Sequence, residues 1–158
     1  KDAVENGNCD VNKYCDYYNF TDEALANHTY LANNTWYESV FWSEMPDLNL
    51  DNESLYDELM DISKFWIDKG VDGFRLDAVS HFYENKISES TEFLKKYNKD
   101  IKAYKDDFYI VAEAWEPIDT RLEVYKSGID SVFNFDLSQQ SSWIVKAVQK
   151  NNAYSLFL

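Results

Sequence analysis

The chain of 158 residues carries 15 Lys and Arg against 29 Asp and Glu, a formal net charge of -14. That balance argues against nucleic acid or an anionic membrane surface as a partner, because both are bound through basic patches. The length suffices for one ordinary core, and no apolar run approaches the ~20 residues of a membrane span.

Residues 1–44 show no sustained hydrophobic period and are rich in Asn, Asp and Tyr. They read as loop, with short helical turns expected over 21–31 and 33–39. Cys9 and Cys15 lack the second pair that a zinc site wants, and His28 is the only other soft ligand nearby. A local disulfide and two free thiols both fit. Asn19-Phe20-Thr21, Asn27-His28-Thr29, Asn33-Asn34-Thr35 and Asn52-Glu53-Ser54 match the glycosylation acceptor pattern, which chance explains in so Asn-rich a chain.

From Asn52 the pattern changes. Leu55, Leu59, Ile62 and Trp66 recur at helical spacing, with Asp51, Asn52 or Ser54 as the cap and Gly70 as the left-handed close. A short apolar strand, Gly73 to Asp77, follows, broken by Arg75 and Asp77, which are rarely buried unless paired. A second helix over 89–104 places Leu94, Tyr97, Ile101 and Tyr104 on one face. A strand over 108–112 ends on Glu113. Pro117 suits the first turn of a third helix with Ile118, Leu122 and Tyr125 inward and Gly128 beyond. A third strand is expected over 131–137 and a last helix over 138–150, using Trp143, Ile144, Ala147 and Val148. The alternation predicts an α/β fold whose neighbouring parallel strands are buried on both faces.

Gly73-Phe74-Arg75-Leu76-Asp77-Ala78-Val79-Ser80-His81 resembles the nucleophile strand of the α-amylase family of glycoside hydrolases. Met45-Pro46-Asp47-Leu48-Asn49 before it and Val111-Ala112-Glu113-Ala114-Trp115 after it are similar to two further family motifs, in the family's order. The resemblance implies part of a (β/α)8 TIM barrel: about three parallel strands with flanking helices over 45–158. Residues 1–44 would be an irregular subdomain like the family's domain B, the excursion between the third strand and third helix. A complete barrel needs about 250 residues, so the chain is expected to be an internal fragment. The family's Asn-His-Asp motif does not occur, and Asn27-His28 has the wrong context for its early motif. The match is therefore good over 45–150 and loose over 1–44.

Glycosidic cleavage needs two carboxyl groups in different protonation states, and barrel sites are built at the carboxyl ends of strands. The resemblance assigns Asp77 as nucleophile and Glu113 as general acid/base. Arg75, two residues before Asp77, points to the same side of the strand and favours its ionised form. Val111, Ala112, Ala114 and Trp115 give Glu113 apolar neighbours that would raise its pKa. Without the motifs, Arg75 and Asp77 would read first as a structural ion pair. His81 and Trp115 are the further substrate-binding candidates with Arg75. Ser80 stands where the family often has Lys, and a core Trp or a loop-packing His are the competing readings. No metal site is assigned with confidence; the His81 backbone carbonyl is a candidate ligand for calcium, the one cofactor the resemblance allows. Asp47 and Asn49 fit a loop-ordering role.

The reading is retaining hydrolysis of α-glucosidic bonds in starch or malto-oligosaccharides, by a chain expected to be inactive alone and to self-associate through open sheet edges. The rivals are a transglycosylase or isomerase of the same family and a non-catalytic sugar-binding homologue. An α-glucan is the expected partner, with no nucleic acid and no membrane span. An extracellular or cell-surface location is favoured for the parent protein.

Overall fold

A computed structural model describes residues 1–139 and 142–151. They divide into two compact units, Lys1–Trp66 and Ile67 onward.

The first unit opens with a short helix α1 (Asp2–Glu5) and 3₁₀ turns at Cys9–Val11 and Lys13–Tyr17, the turns stapled by a Cys9–Cys15 disulfide. Of the two states left open for the cysteines, the structure has the bonded one. An antiparallel sheet follows: β1 (Phe20–Thr21), β2 (His28–Ala32) and β3 (Thr35–Glu38), in the order β1-β3-β2. This corrects the expectation of loop and helical turns over 21–39. Asn33 and Asn34 sit at φ 50° and 56°, the left-handed pair that a two-residue hairpin turn demands and that Asn tolerates.

The segment 45–49 is held by bonds to backbone, near in the chain for Asp47, as expected, but distant for Asn49. The Asp47 carboxylate accepts from the Val40 N–H at 2.7 Å, and the Asn49 amide donates to the Asp16 carbonyl at 3.1 Å. Asn52 caps helix α2 (Glu53–Asp68), its side-chain oxygen accepting from the Leu55 N–H at 2.9 Å. Buried positions on α2 are Leu55, Tyr56, Met60, Ser63 and Ile67, whereas Ile62 and Trp66 are exposed. The buried stripe is thus rotated from the predicted 55-59-62-66 face, since Tyr56 and Met60 supply as much apolar area as Leu59 and Ile62.

Gly70, at φ 91°, ends the helical run and leads into the second unit. There β4 (Gly73–Leu76), β5 (Tyr109–Ala112) and β6 (Ser131–Val132) form a parallel sheet in chain order. Helix α3 (Ile87–Tyr104) joins β4 to β5, and α4 (Ile118–Tyr125) joins β5 to β6. α3 packs against α4, and α4 against β6.

The sheet is two-sided. Ile110 and Ala112 are wholly buried on one face, and Phe74 meets the buried Phe108 edge-on at 4.7 Å. Gly73, Arg75, Tyr109 and Val111 alternate onto the other face, where Tyr109 and Arg75 are exposed. Burial on both faces is therefore not found in the described residues. Gly73 allows the close approach of β4 to β5: a Cβ there would lie 2.6 Å from the Tyr109 carbonyl oxygen. Gly73→Ala is expected to force the strands apart and to cost about 1–3 kcal/mol in the full-length protein, read as a lowered thermal midpoint.

Three expectations are corrected downstream. On α4 the buried residues are Arg121 and Val124, while Ile118, Leu122 and Tyr125 are exposed. Arg121 turns inward because it has a partner there, Asp136. On α3, Leu94, Tyr97 and Ile101 are buried as expected, but Tyr104 is exposed and bonds Asp68 at 2.8 Å. The strand expected over 131–137 stops at Val132 apart from one further ladder bond, Phe133 N–H to Ala112 O at 3.1 Å. The chain then enters α5 (Phe135–Ser138), and α6 (Trp143–Gln149) follows. The single helix expected over 138–150 is thus two short ones; its positions 140 and 141, like residues 152–158, lie outside the described residues.

Asp130 ties the start of β5 to α3. It pairs with Lys102 at 2.8 Å and accepts from the Ile110 N–H at 2.7 Å. Burial alone would raise its pKa, but Lys102 and the Ile110 N–H outweigh that and hold it below the usual carboxylate value. Its contribution to stability is full above about pH 4 and is lost as pH falls through the depressed folded value. Asp130→Asn is expected to remove that part of the acid-side loss, checked by comparing midpoints of variant and parent between pH 6 and 3.

Candidate active site

The parallel register pairs Arg75 with Val111 and Leu76 with Ala112, so Asp77 and Glu113 stand level at the carboxyl ends of adjacent strands. The ladder runs one residue further: the Glu113 N–H donates to the Leu76 carbonyl at 2.8 Å, and the Val79 N–H donates to the Glu113 carbonyl at 2.9 Å. Between them Ala78 takes a left-handed conformation, φ 44° and ψ 44°. That conformation costs a residue with a Cβ about 1–2 kcal/mol. It turns the chain sharply out of β4 and leaves Asp77 at an open strand end, its side chain 74% exposed.

Arg75 is the hub of the site. Its Nη2 lies 3.0 Å from Asp77 Oδ1 and also contacts Glu113 Oε2. Both carboxylates thus converge on one guanidinium nitrogen. The pairing of Arg75 with Asp77 follows from their two-residue spacing; the pairing with Glu113 has no signal in the sequence. The apolar setting expected for Glu113 is corrected. Ala112 and Ala114 are wholly buried by the strand's alternation, whereas Glu113 turns the other way, to Arg75.

His81 is brought close but held by acids rather than left open. Its Nδ1 is 2.7 Å from Glu84 and its Nε2 3.4 Å from Glu116, which also accepts from the Ser80 hydroxyl at 3.4 Å. Neither glutamate stood out in the sequence. Trp115 is 68% exposed and stacks on Phe135, with centroids 5.1 Å apart and planes at 25°. Trp115 is therefore not in the core of this chain. No group of three or more His, Cys, Asp or Glu able to hold a metal ion occurs among the described residues.

A family model described as the catalytic domain of alpha amylase matches residues 6–156, and so takes in the first 44 residues more fully than the sequence motifs do. Alpha-amylase 3 of Dictyoglomus thermophilum is 42% identical over 130 residues, covering 80% of this chain and 26% of that protein. The trehalose synthase/amylase TreS of Mycolicibacterium smegmatis is 35% identical over 102 residues, 60% of this chain and 17% of that protein. Among solved structures, Eubacterium rectale Amy13B superposes with a TM-score of 0.84 at 39% identity, over 97% of this chain and 29% of that one. The alpha-amylase from H. orenii does so with a TM-score of 0.77 at 27% identity, over 97% and 33%. The chain thus spans about a third or less of the length of these relatives.

Proposed function

The chain belongs to the alpha-amylase catalytic-domain family of glycoside hydrolases and is part of a (β/α)8 barrel, and from that premise we propose that its parent protein hydrolyses α-glucosidic bonds in starch or malto-oligosaccharides with retention. Asp77 attacks the anomeric carbon while Glu113 gives its proton to the leaving oxygen. A covalent glycosyl–Asp77 ester forms, and Glu113, now a carboxylate, takes a proton from the water that hydrolyses it. The observation that carries this reading is the convergence of both carboxylates on Arg75 at adjacent strand ends. The open sheet face with Tyr109 and Arg75 is then the inward face of the closed barrel.

A second reading, transglycosylation or isomerisation, is favoured by the match to the trehalose synthase/amylase. It differs in one step only: a sugar hydroxyl instead of water attacks the Asp77 ester. End-labelled malto-oligosaccharide given to the full-length protein separates the two. Hydrolysis yields only shorter sugars, whereas transfer returns label in longer or rearranged ones. Absence of both would sink the proposal. A non-catalytic sugar-binding role is disfavoured because it needs neither carboxylate.

The 158-residue chain by itself is expected to release no sugar and to self-associate, since β4 and β6 are the unpaired edges of its sheet. A monodisperse monomer in sizing would count against that. The Cys9–Cys15 disulfide supports an extracellular or cell-surface location.

A further inference from the structure

Trp115 lies two residues beyond Glu113, past the end of β5, with the wholly buried Ala114 between them. One face of its indole is covered by Phe135 in a stacked contact, yet 68% of the residue stays exposed, which leaves the other face bare. Phe135 in turn lies beside Phe133, centroids 5.8 Å apart. Close packing does not hold these rings: a cavity of about 450 Å³ lies against Trp115, Phe135 and Trp143. The residue after Phe135 is tied to α4. Asp136 is bound by Arg121, whose side chain is only 8% exposed although it carries a full charge. A guanidinium buried on α4 is rigid in a way that an exposed one is not, and a buried charge that loses its partner is costly. The start of α5 is therefore pinned to α4 at one point, and the ring beside that point supports Trp115.

We propose that the Arg121–Asp136 pair, acting through Phe135, is a buttress that sets the pose of Trp115 and thereby the strength with which an α-glucan ring is held beside Glu113. Arg121, Phe135 and Asp136 are positioning residues, and they touch no reacting atom. This rests on the function proposed above, in which Trp115 faces substrate.

The test is made in the full-length protein. Binding of a malto-oligosaccharide is measured by calorimetry in the Asp77→Asn background, where turnover is suppressed, and kcat and KM are measured with Asp77 intact. Trp115→Ala and Phe135→Leu are each expected to weaken binding roughly 3- to 10-fold, the worth of one aromatic contact. Phe135→Tyr, which keeps a stacking ring, should restore the parent affinity. Asp136→Asn, which discharges the pair, should shift affinity in the same direction as Phe135→Leu. With Asp77 intact the loss should fall on KM, leaving kcat within about twofold. The buttress is overturned if Trp115→Ala weakens binding and Phe135→Leu does not, or if Phe135→Tyr fails to rescue and kcat falls with KM. If Trp115→Ala itself leaves binding unchanged, both the buttress and the assignment of Trp115 fall, while Asp77 and Glu113 stand. If the Asp77→Asn parent binds no malto-oligosaccharide, the proposed substrate class is what fails, and the buttress with it.

Discussion

Asp77→Asn in the full-length protein is expected to lower kcat on malto-oligosaccharides by about 10⁴-fold or more, because the amide cannot form the glycosyl ester and the two-step route is closed. The Asn side chain is nearly isosteric and 74% of Asp77 is exposed, so the thermal midpoint should move little. That separates chemistry from folding. Glu113→Gln should behave differently. It removes a proton donor, worth about 10²–10⁴-fold, and the loss in kcat/KM should be large for maltosyl leaving groups but small for activated aryl glycosides, whose leaving oxygen needs no proton, while kcat falls for both because the second step loses its base. Added azide sharpens the distinction. In Asp77→Gly it can enter the space left by the nucleophile and attack the substrate directly, giving a glycosyl azide of inverted configuration. In Glu113→Gln it attacks the Asp77 ester, giving the retained product. Full activity in Asp77→Asn, or the same azide product from both variants, would mean that the two roles are assigned wrongly.

The second large effect is on stability. Phe108 is wholly buried at the entry to β5 and meets Phe74 edge-on at 4.7 Å. Its backbone carbonyl accepts from Lys102 of α3, so the residue joins β4, β5 and the end of α3. Phe108→Ala is expected to cost about 3–5 kcal/mol, the transfer of a buried aromatic plus the cavity it leaves. Phe108→Leu should cost appreciably less, since most of the volume is kept. Denaturant titration reads both as lowered midpoints with unchanged slopes. Equal effects of the two substitutions would mean that the site collapses around the gap and that shape at this position matters little.

The local, short-range features of the chain were legible without its structure. The cap at Asn52, the stop at Gly70, the strands ending at Asp77 and Glu113 and the bond of Asp47 to the Val40 N–H all follow from spacing and residue type, because each depends on neighbours a few positions away. The three motifs in order pointed to the family, and the family model agrees. The hairpin Asn33-Asn34 also had a local signal, two residues that tolerate positive φ between β-prone runs, but the polarity of the segment masked it.

What failed to show in the sequence depends on partners far along the chain. Alternation says that Glu113 leaves the apolar face of β5, but only the parallel register puts Arg75 between it and Asp77. Nothing in Ala78 announces a left-handed turn; the bonds of Glu113 to Leu76 and Val79 impose it. The helix at 118–125 offers an apolar stripe at Ile118, Leu122 and Tyr125, yet Arg121 is buried instead, because Asp136 waits for it fifteen residues on. The sequence by itself thus determined α2, α3 and the strands β4 and β5 that lead to Asp77 and Glu113, through interactions of short range. The tertiary structure decided which charges meet and which faces are buried, since a charge is buried or left open according to a partner that local pattern does not name.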